Sequence, residues 1–344
     1  MNSGSGIIKI FAGTSGRPFA ERMCAYLGTQ LGESYSKKFS EGNIYVKIGE
    51  SIRDKDVYLV QPIGREPNDD MMELLFWIDA CKRSSCNSVT VIMPYFSYAK
   101  GDKKDEPRVS IRARVCADCI EVAGADRIVC MDLHAAQVQG FFKKPVDHLY
   151  AKPLLAEYIK RSGIVDDDLV VVSPDAGSAK RAHDFAKAIG CSVAIGDKTR
   201  TDHSENAKIL GIIGEVKDKN CLVVDDFSIS GGTLIDVARG LKEQGAKNIY
   251  GALSHNCMTT TAMNRIDASP FEWVVSTDTL ECPEAAQHPK LRIISAAPMF
   301  AQAVKIIHDR APMSTLFDER ICKRMLDMSF SKKMTQIGSI SRFE

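Results

Sequence analysis

The chain has 344 residues, a length that suggests roughly two domains. With 44% hydrophobic residues, 26% charged residues and a formal net charge of +1, it reads as a soluble globular protein without the basic footprint of a nucleic-acid binder. No apolar run is long enough to span a membrane, no signal peptide is evident, and eleven cysteines without framework spacing read as free thiols, so the expected location is cytoplasmic.

Met1–Gly6 reads as a flexible lead-in. The first half opens with the strand-like run Ile7-Ile8-Lys9-Ile10-Phe11-Ala12-Gly13, then a helix through Ala20–Leu27. A strand at Val57–Val60, a helix at Met71–Cys81 and a strand at Val89–Met93 follow. Cys116 and Cys119 fit a helix face and lack the partners of a zinc site. Arg127–Cys130 is an apolar strand that runs into Met131-Asp132-Leu133-His134-Ala135. A second half opens with the strand Leu169–Val172, followed by Ser173-Pro174-Asp175 and a helix through Ala182–Ile189. The turn-like Lys217–Asn220 bounds the buried strand Leu222–Val224; a helix at Leu234–Glu243, stopped by Gly245, and a strand at Ile249–Leu253 complete the series. Strand–helix alternation predicts parallel sheets flanked by helices, and the repeated order predicts two related halves. Near the end, Arg320–Met328 reads as a short amphipathic helix and Ser329–Glu344 as a flexible, solvated tail.

In a parallel sheet the polar residues after strands gather at one edge, where ligands bind. The most informative such end is Asp225-Asp226, followed by Phe227-Ser228-Ile229-Ser230-Gly231-Gly232-Thr233. The two carboxylates suit sugar hydroxyls. The Ser/Gly/Thr loop feeds a helix N-terminus, whose unpaired N–H groups and dipole favour a phosphate. Gly231 and Gly232 allow close approach, and Ser228, Ser230 and Thr233 add hydroxyl donors. A lone Asp here would be read as a helix cap. The pair, ending an apolar strand before this loop, favours a ligand that is both sugar and phosphate.

Val224-Asp225-Asp226, four variable residues and Gly231-Gly232-Thr233 resemble the ribose 5-phosphate loop of phosphoribosyltransferases and of ribose-phosphate pyrophosphokinases. Further segments resemble the second family in its order: Lys9–Gly13, Lys38–Gly42, Glu50–Arg53, Asp69–Leu75, Tyr98–Lys104, Ala123–Asp126, Met131–Ala135, Val138–Phe142 and Ser173–Lys180. The likeness covers roughly Ile8 to Phe317 and is greatest to class I enzymes. It implies two tandem phosphoribosyltransferase-like α/β domains. The ATP side spans residues 1–152 and the ribose 5-phosphate side 153–300. Residues 301–317 pack back on the first domain, and 318–344 are an extension.

The resemblance further implies that the anomeric hydroxyl of ribose 5-phosphate attacks the β-phosphorus of MgATP, releasing AMP. Asp225 and Asp226 then hold the ribose hydroxyls, and Ser228, Ile229, Ser230, Gly231, Gly232 and Thr233 line the 5-phosphate. Phe39, Glu41 and Asn43 lie at the adenine, Lys100, Gly101, Asp102 and Lys103 near the nucleotide, and His134 and Asp175 near magnesium and the ATP phosphates. Lys198 and Arg200 take the catalytic positions of a mobile loop, with Thr201–Lys208 as a lid. Phosphate activation and ADP inhibition are implied at an interface site matched in part by Ser51, Arg53, Ser314 and Phe317, and self-association into dimers and hexamers is implied as well.

Five positions depart from the family pattern. Ile229 stands for a usual Asp, Lys100-Gly101 for Arg-Gln, Asn43 for a Glu, and Pro312 for a Ser. Two other readings stand beside the enzyme: a non-catalytic regulatory homologue of active subunits, and a phosphoribosyltransferase acting on a base. The retained Lys198, Arg200, His134, Asp175 and Asp225-Asp226 favour activity over the first, and the ATP-side half argues against the second.

Overall fold

The computed structural model describes residues 7–199 and 208–329. The chain forms two compact units. One runs from the start of the chain to Tyr150 and takes in Thr279–Glu281 and Ala296–Asp318. The other comprises Ala151–Asp278, Cys282–Ser295 and the chain from Glu319 onward.

The first unit contains, in order, β1 (Ile8–Ala12), α1 (Arg17–Leu27), β2 (Ser34–Lys38), β3 (Ile44–Ile48), β4 (Asp56–Val60), α2 (Pro67–Arg83), β5 (Ser88–Met93), α3 (Arg112–Ala123), β6 (Arg127–Met131) and β7 (Val146–Leu149). Strands β1-β4-β5-β6-β7 form an all-parallel sheet, and β2–β3 is a separate antiparallel hairpin. Val57–Val60 and Val89–Met93 are buried throughout, as strands covered on both faces must be. Between sheet and helices, Phe11 stacks on Trp77 at 6.4 Å. Helix α2 begins four residues before the predicted Met71, with Pro67 in its first turn, Asp69 and Asp70 at its positive end, and Lys82 and Arg83 at its negative end.

The second unit contains α4 (Lys152–Arg161), β8 (Leu169–Ser173), α5 (Ala179–Ile189), β9 (Ser192–Thr199), β10 (Lys208–Ile213), β11 (Asn220–Ser228), α6 (Gly232–Glu243), β12 (Ile249–Asn256), α7 (Thr260–Asp267), β13 (Phe271–Thr277), α8 (Pro283–Ala286) and β14 (Leu291–Ile294). Its sheet order is β10-β9-β8-β11-β12-β13-β14, parallel except for the β9–β10 pair. Aligning β8 with β1, β11 with β4 and β12 with β5 reproduces the strand order of the first sheet, so the two halves share one topology.

Strand β11 runs four residues past the predicted end at Val224, because Asp225, Phe227 and Ser228 continue the ladder to Leu253, His255 and Asn256 of β12. The expected loop over Phe227–Thr233 therefore shrinks to Ile229–Gly231.

The chain returns to the first unit with α9 (Ala297–His308), where Phe300 packs edge-on against Phe19 of α1 at 5.4 Å. It then enters the second unit with α10 (Glu319–Ser329), the amphipathic helix expected at Arg320–Met328. Cys322, Met325, Leu326 and Ser329 are buried at helical spacing, against α4. Ser329, expected to begin the solvated tail, instead accepts a hydrogen bond from the buried Ser295 N–H at 2.6 Å. An unpartnered amide there would cost about 1–3 kcal/mol, which explains why the helix reaches this residue. The rest of the expected tail, 330–344, lies outside the described residues.

Candidate active site

On the sugar-phosphate side, burial alternates along the end of β11: Val224, Asp226 and Ser228 are buried, Asp225 and Phe227 half-buried. Asp226 N–H donates to Asp225 Oδ1 at 2.9 Å, and Phe227 N–H donates to Asp226 Oδ1 at 3.0 Å. The guanidinium of Arg181, from the first turn of α5, bridges the pair. Its Nη1 lies 3.0 Å from Asp225 Oδ1 and 3.3 Å from Asp226 Oδ1. Burial and the adjacent Asp226 carboxylate push the Asp225 carboxyl well above the usual range, and Arg181 pulls the other way.

Neither carboxylate caps α6. The capping position is Gly231, with φ 75° and no side-chain cap. A side chain at Gly231 would be strained by that φ and would meet Ile235 Cδ1 at 3.3 Å. Gly232 is already the first residue of α6, so only Gly231 needs the left-handed backbone. The positive end of the α6 dipole thus lies at the loop. Ser230 Oγ accepts the Gly232 N–H at 3.4 Å, and Thr233 stands in the first turn. Ile229 is 44% exposed, so the apolar residue at this position is not a core residue.

Asp175, half-buried after β8, accepts through Oδ1 from both the N–H and the hydroxyl of Ser178 at 2.9 Å. This fixes the carboxylate's orientation. One oriented carboxylate suits Mg2+, which takes oxygen ligands and keeps several waters and substrate oxygens. The Lys198 backbone lies in β9, paired with Ile209 of β10. Arg200 and residues 201–207 of the expected lid lie outside the described residues, while Lys208 begins β10.

In the first unit, Phe39, Glu41 and Asn43 form the tip of the β2–β3 hairpin, closed by the Phe39 N–H to Asn43 carbonyl bond at 2.8 Å and by Gly42 at φ 92°. Glu41 and Asn43 are exposed, and Lys37 Nζ sits 4.9 Å from the Phe39 ring centroid. Lys100 ends a short 3-10 turn with its Nζ 5.9 Å from the Tyr95 ring centroid. Asp102 is half-buried and Lys103 exposed.

Gly101 shows how the departure at positions 100 and 101 is accommodated. A side chain there would meet Arg112 Nε at 2.6 Å and Arg112 Cβ at 2.9 Å, so the Arg112 side chain fills the vacated space. His134 is exposed on the bend after β6, and the preceding Leu133 N–H donates to His148 Nε2 at 3.0 Å. Ser51 and Arg53 are exposed between β3 and β4, and Ser314 is exposed after α9. The Phe317 side chain lies outside the description.

Sequence reasoning missed Arg181, Arg112 and His148. Two had a visible signal: Arg181 and Arg112 are cations in the first turns of α5 and α3, where the helix dipole disfavours them. His148 gave none. A cavity of about 350 Å³ in the first unit, bordered by Thr14, Ser36, Lys38, Arg65, Asp70 and Glu73 among others, is lined by none of the predicted site residues.

None of the eleven cysteines, all among the described residues, forms a disulfide. Burial pushes the Cys24, Cys81 and Cys221 thiols up to about 12, which makes them poor nucleophiles. Among the described residues no helix is long and apolar enough to cross a membrane.

Residues 8–124 match the family model described as the N-terminal domain of ribose phosphate pyrophosphokinase, and residues 201–318 match the phosphoribosyl synthetase-associated domain. The chain is 43% identical over 316 residues to the ribose-phosphate pyrophosphokinase of Chlorobaculum tepidum, covering 91% of this chain and 96% of that one. It is 42% identical over 320 residues to that of Clostridium perfringens, covering 93% of this chain and all of the relative. The crystal structure of phosphoribosylpyrophosphate synthetase from Mycobacterium smegmatis superposes with a TM-score of 0.83 at 35% identity, over 89% of this chain and 100% of that one. Taken with the paired carboxylates and the glycine-started helix of the second unit, these matches show that the chain belongs to the ribose-phosphate pyrophosphokinase family.

Proposed function

We propose that this protein is an active ribose-phosphate pyrophosphokinase that makes phosphoribosyl pyrophosphate and AMP from ATP and ribose 5-phosphate. The observation that carries this reading is the Asp225-Asp226 pair, bridged by Arg181 at 3.0 and 3.3 Å and followed by the glycine-led start of α6, in a chain of this family. In the reaction the oxygen on C1 of ribose 5-phosphate forms a bond to the β-phosphorus. The bond from that phosphorus to the α–β bridging oxygen breaks, AMP leaves with that oxygen, and the hydroxyl proton is released.

Such chemistry needs alignment and charge compensation more than covalent help. Asp225 and Asp226 accept from the ribose hydroxyls, and the loop from Ser228 to Thr233 takes the 5-phosphate on the positive end of α6. Lys198 and Arg200 are the cations for the transferring group. Phe39, Glu41, Asn43 and the run Lys100–Lys103 belong to the nucleotide, with His134 beside its phosphates. Asp175 would hold Mg2+, which would supply positive charge against the ATP phosphates when bound. Phosphate and ADP are the effectors expected at Ser51, Arg53, Ser314 and Phe317, in a self-associated, cytoplasmic enzyme.

Purified protein given ribose 5-phosphate, MgATP and phosphate should form AMP and phosphoribosyl pyrophosphate in equal amounts. The absence of AMP, while an added homologous subunit changes its own rate, would contradict activity and indicate a regulatory role.

A further inference from the structure

Asp225 and Asp226 are consecutive on a strand, where side chains point to opposite faces. Left to the strand alone, their carboxylates would diverge, and when brought together they would repel. A vicinal diol requires the opposite, two acceptors held side by side. Three groups oppose the divergence. The Asp226 and Phe227 N–H groups each fix one Oδ1 atom, and Arg181 Nη1 takes both. Arg181 reaches them from another element, 44 residues earlier in the chain, with its side chain 34% exposed. Its place in the first turn of α5 works against the helix dipole, so the helix itself gains nothing from a cation there.

We propose that Arg181 is the positioning residue of the ribose 5-phosphate site, holding Asp225 and Asp226 together as a paired acceptor for the two adjacent ring hydroxyls. This assignment rests on the ribose 5-phosphate reading given above. Arg181 acts through the carboxylates rather than on the reacting atoms, so its effect falls on sugar recognition. Both contacts run through the single Nη1 atom, so a lysine ammonium can supply the same charge, but from a shorter and more flexible stem.

The test compares the full-length protein with Arg181→Ala and Arg181→Lys, each checked for an unchanged thermal unfolding profile. Steady-state kinetics are measured with ribose 5-phosphate and with 2-deoxyribose 5-phosphate. Arg181→Ala should raise the KM for ribose 5-phosphate by roughly 10- to 100-fold, the scale of a charged hydrogen bond. Its KM for ATP and its kcat at saturating sugar should change little, and its preference for ribose over 2-deoxyribose should shrink. Arg181→Lys should recover part of both losses. An unchanged KM and preference in Arg181→Ala would overturn the assignment and leave the ion pair structural. A loss of kcat with KM preserved would overturn it as well, placing Arg181 at the reacting groups. If the unsubstituted protein binds no ribose 5-phosphate, the functional reading fails and this assignment with it; if it binds and Arg181→Ala binds equally well, only the assignment fails.

Discussion

Lys198→Ala is expected to lower kcat by about 100- to 1000-fold, the usual loss when one preorganised charge on a developing transition state is removed. The KM for ATP should move far less, because such a contact strengthens between ground state and transition state. The backbone at residue 198 is held in the β9–β10 ladder, paired with Ile209, so truncating the side chain leaves the strand's own bonds in place. Kinetics with ATP and ribose 5-phosphate varied separately provide the check. A rise in KM that accounts for the whole loss, with kcat intact, would mean that Lys198 serves ground-state binding only.

Glu73→Ala should have the largest effect on stability, roughly 2–4 kcal/mol in the first unit, as expected when buried donors lose their shared acceptor. Glu73 is 4% exposed and organises three elements of that unit. Its carboxylate accepts from the Thr14 N–H at 3.0 Å, the Thr14 hydroxyl at 2.9 Å, the Ser36 hydroxyl at 2.6 Å and Gln61 Nε2 at 3.2 Å, with Trp77 Nε1 at 3.4 Å. Truncation takes the acceptor from the buried Gln61 Nε2 and Trp77 Nε1, while Thr14 and Ser36, which border the 350 Å³ cavity, can turn to water. Glu73→Gln keeps an acceptor oxygen but turns an amide donor toward groups that already donate, so its loss should be intermediate. Chemical denaturation followed through Trp77 fluorescence gives the comparison. A loss below about 1 kcal/mol for the alanine variant would mean that water or local rearrangement replaces the hub.

The parallel sheets were legible because their strands are unbroken apolar runs, such as Leu169–Val172 and Leu222–Val224, bounded by turn residues. What the residues alone hid follows from tertiary pairing. The end of β11 was placed too early because composition changes at Asp225, while the ladder to β12 continues through Ser228. The β2–β3 hairpin went unpredicted although Ile44-Tyr45-Val46-Lys47-Ile48 alternates cleanly, since its partner Ser34–Lys38 carries almost no apolar signal. Ser329 read as tail because a small polar residue at a helix end looks solvated until its partner, the Ser295 amide, is seen.

At the candidate site the two carboxylates and the glycine before α6 were readable from spacing, because strand ends and helix starts are local. Arg181 stood out only as a cation in the first turn of α5; its partners did not, since nothing in local sequence ties α5 to β11 across 44 residues. Likewise, the loss of a side chain at Gly101 was visible, but the Arg112 side chain filling its space was not.

The most direct measurement follows the label of ATP carrying 32P at the β-phosphorus, incubated with the protein, Mg2+ and ribose 5-phosphate. Transfer of a diphosphoryl group puts the label in the sugar product, with unlabelled AMP formed one for one. Label retained in ADP, or released as inorganic phosphate or pyrophosphate without a labelled sugar, would contradict diphosphoryl transfer by this chain.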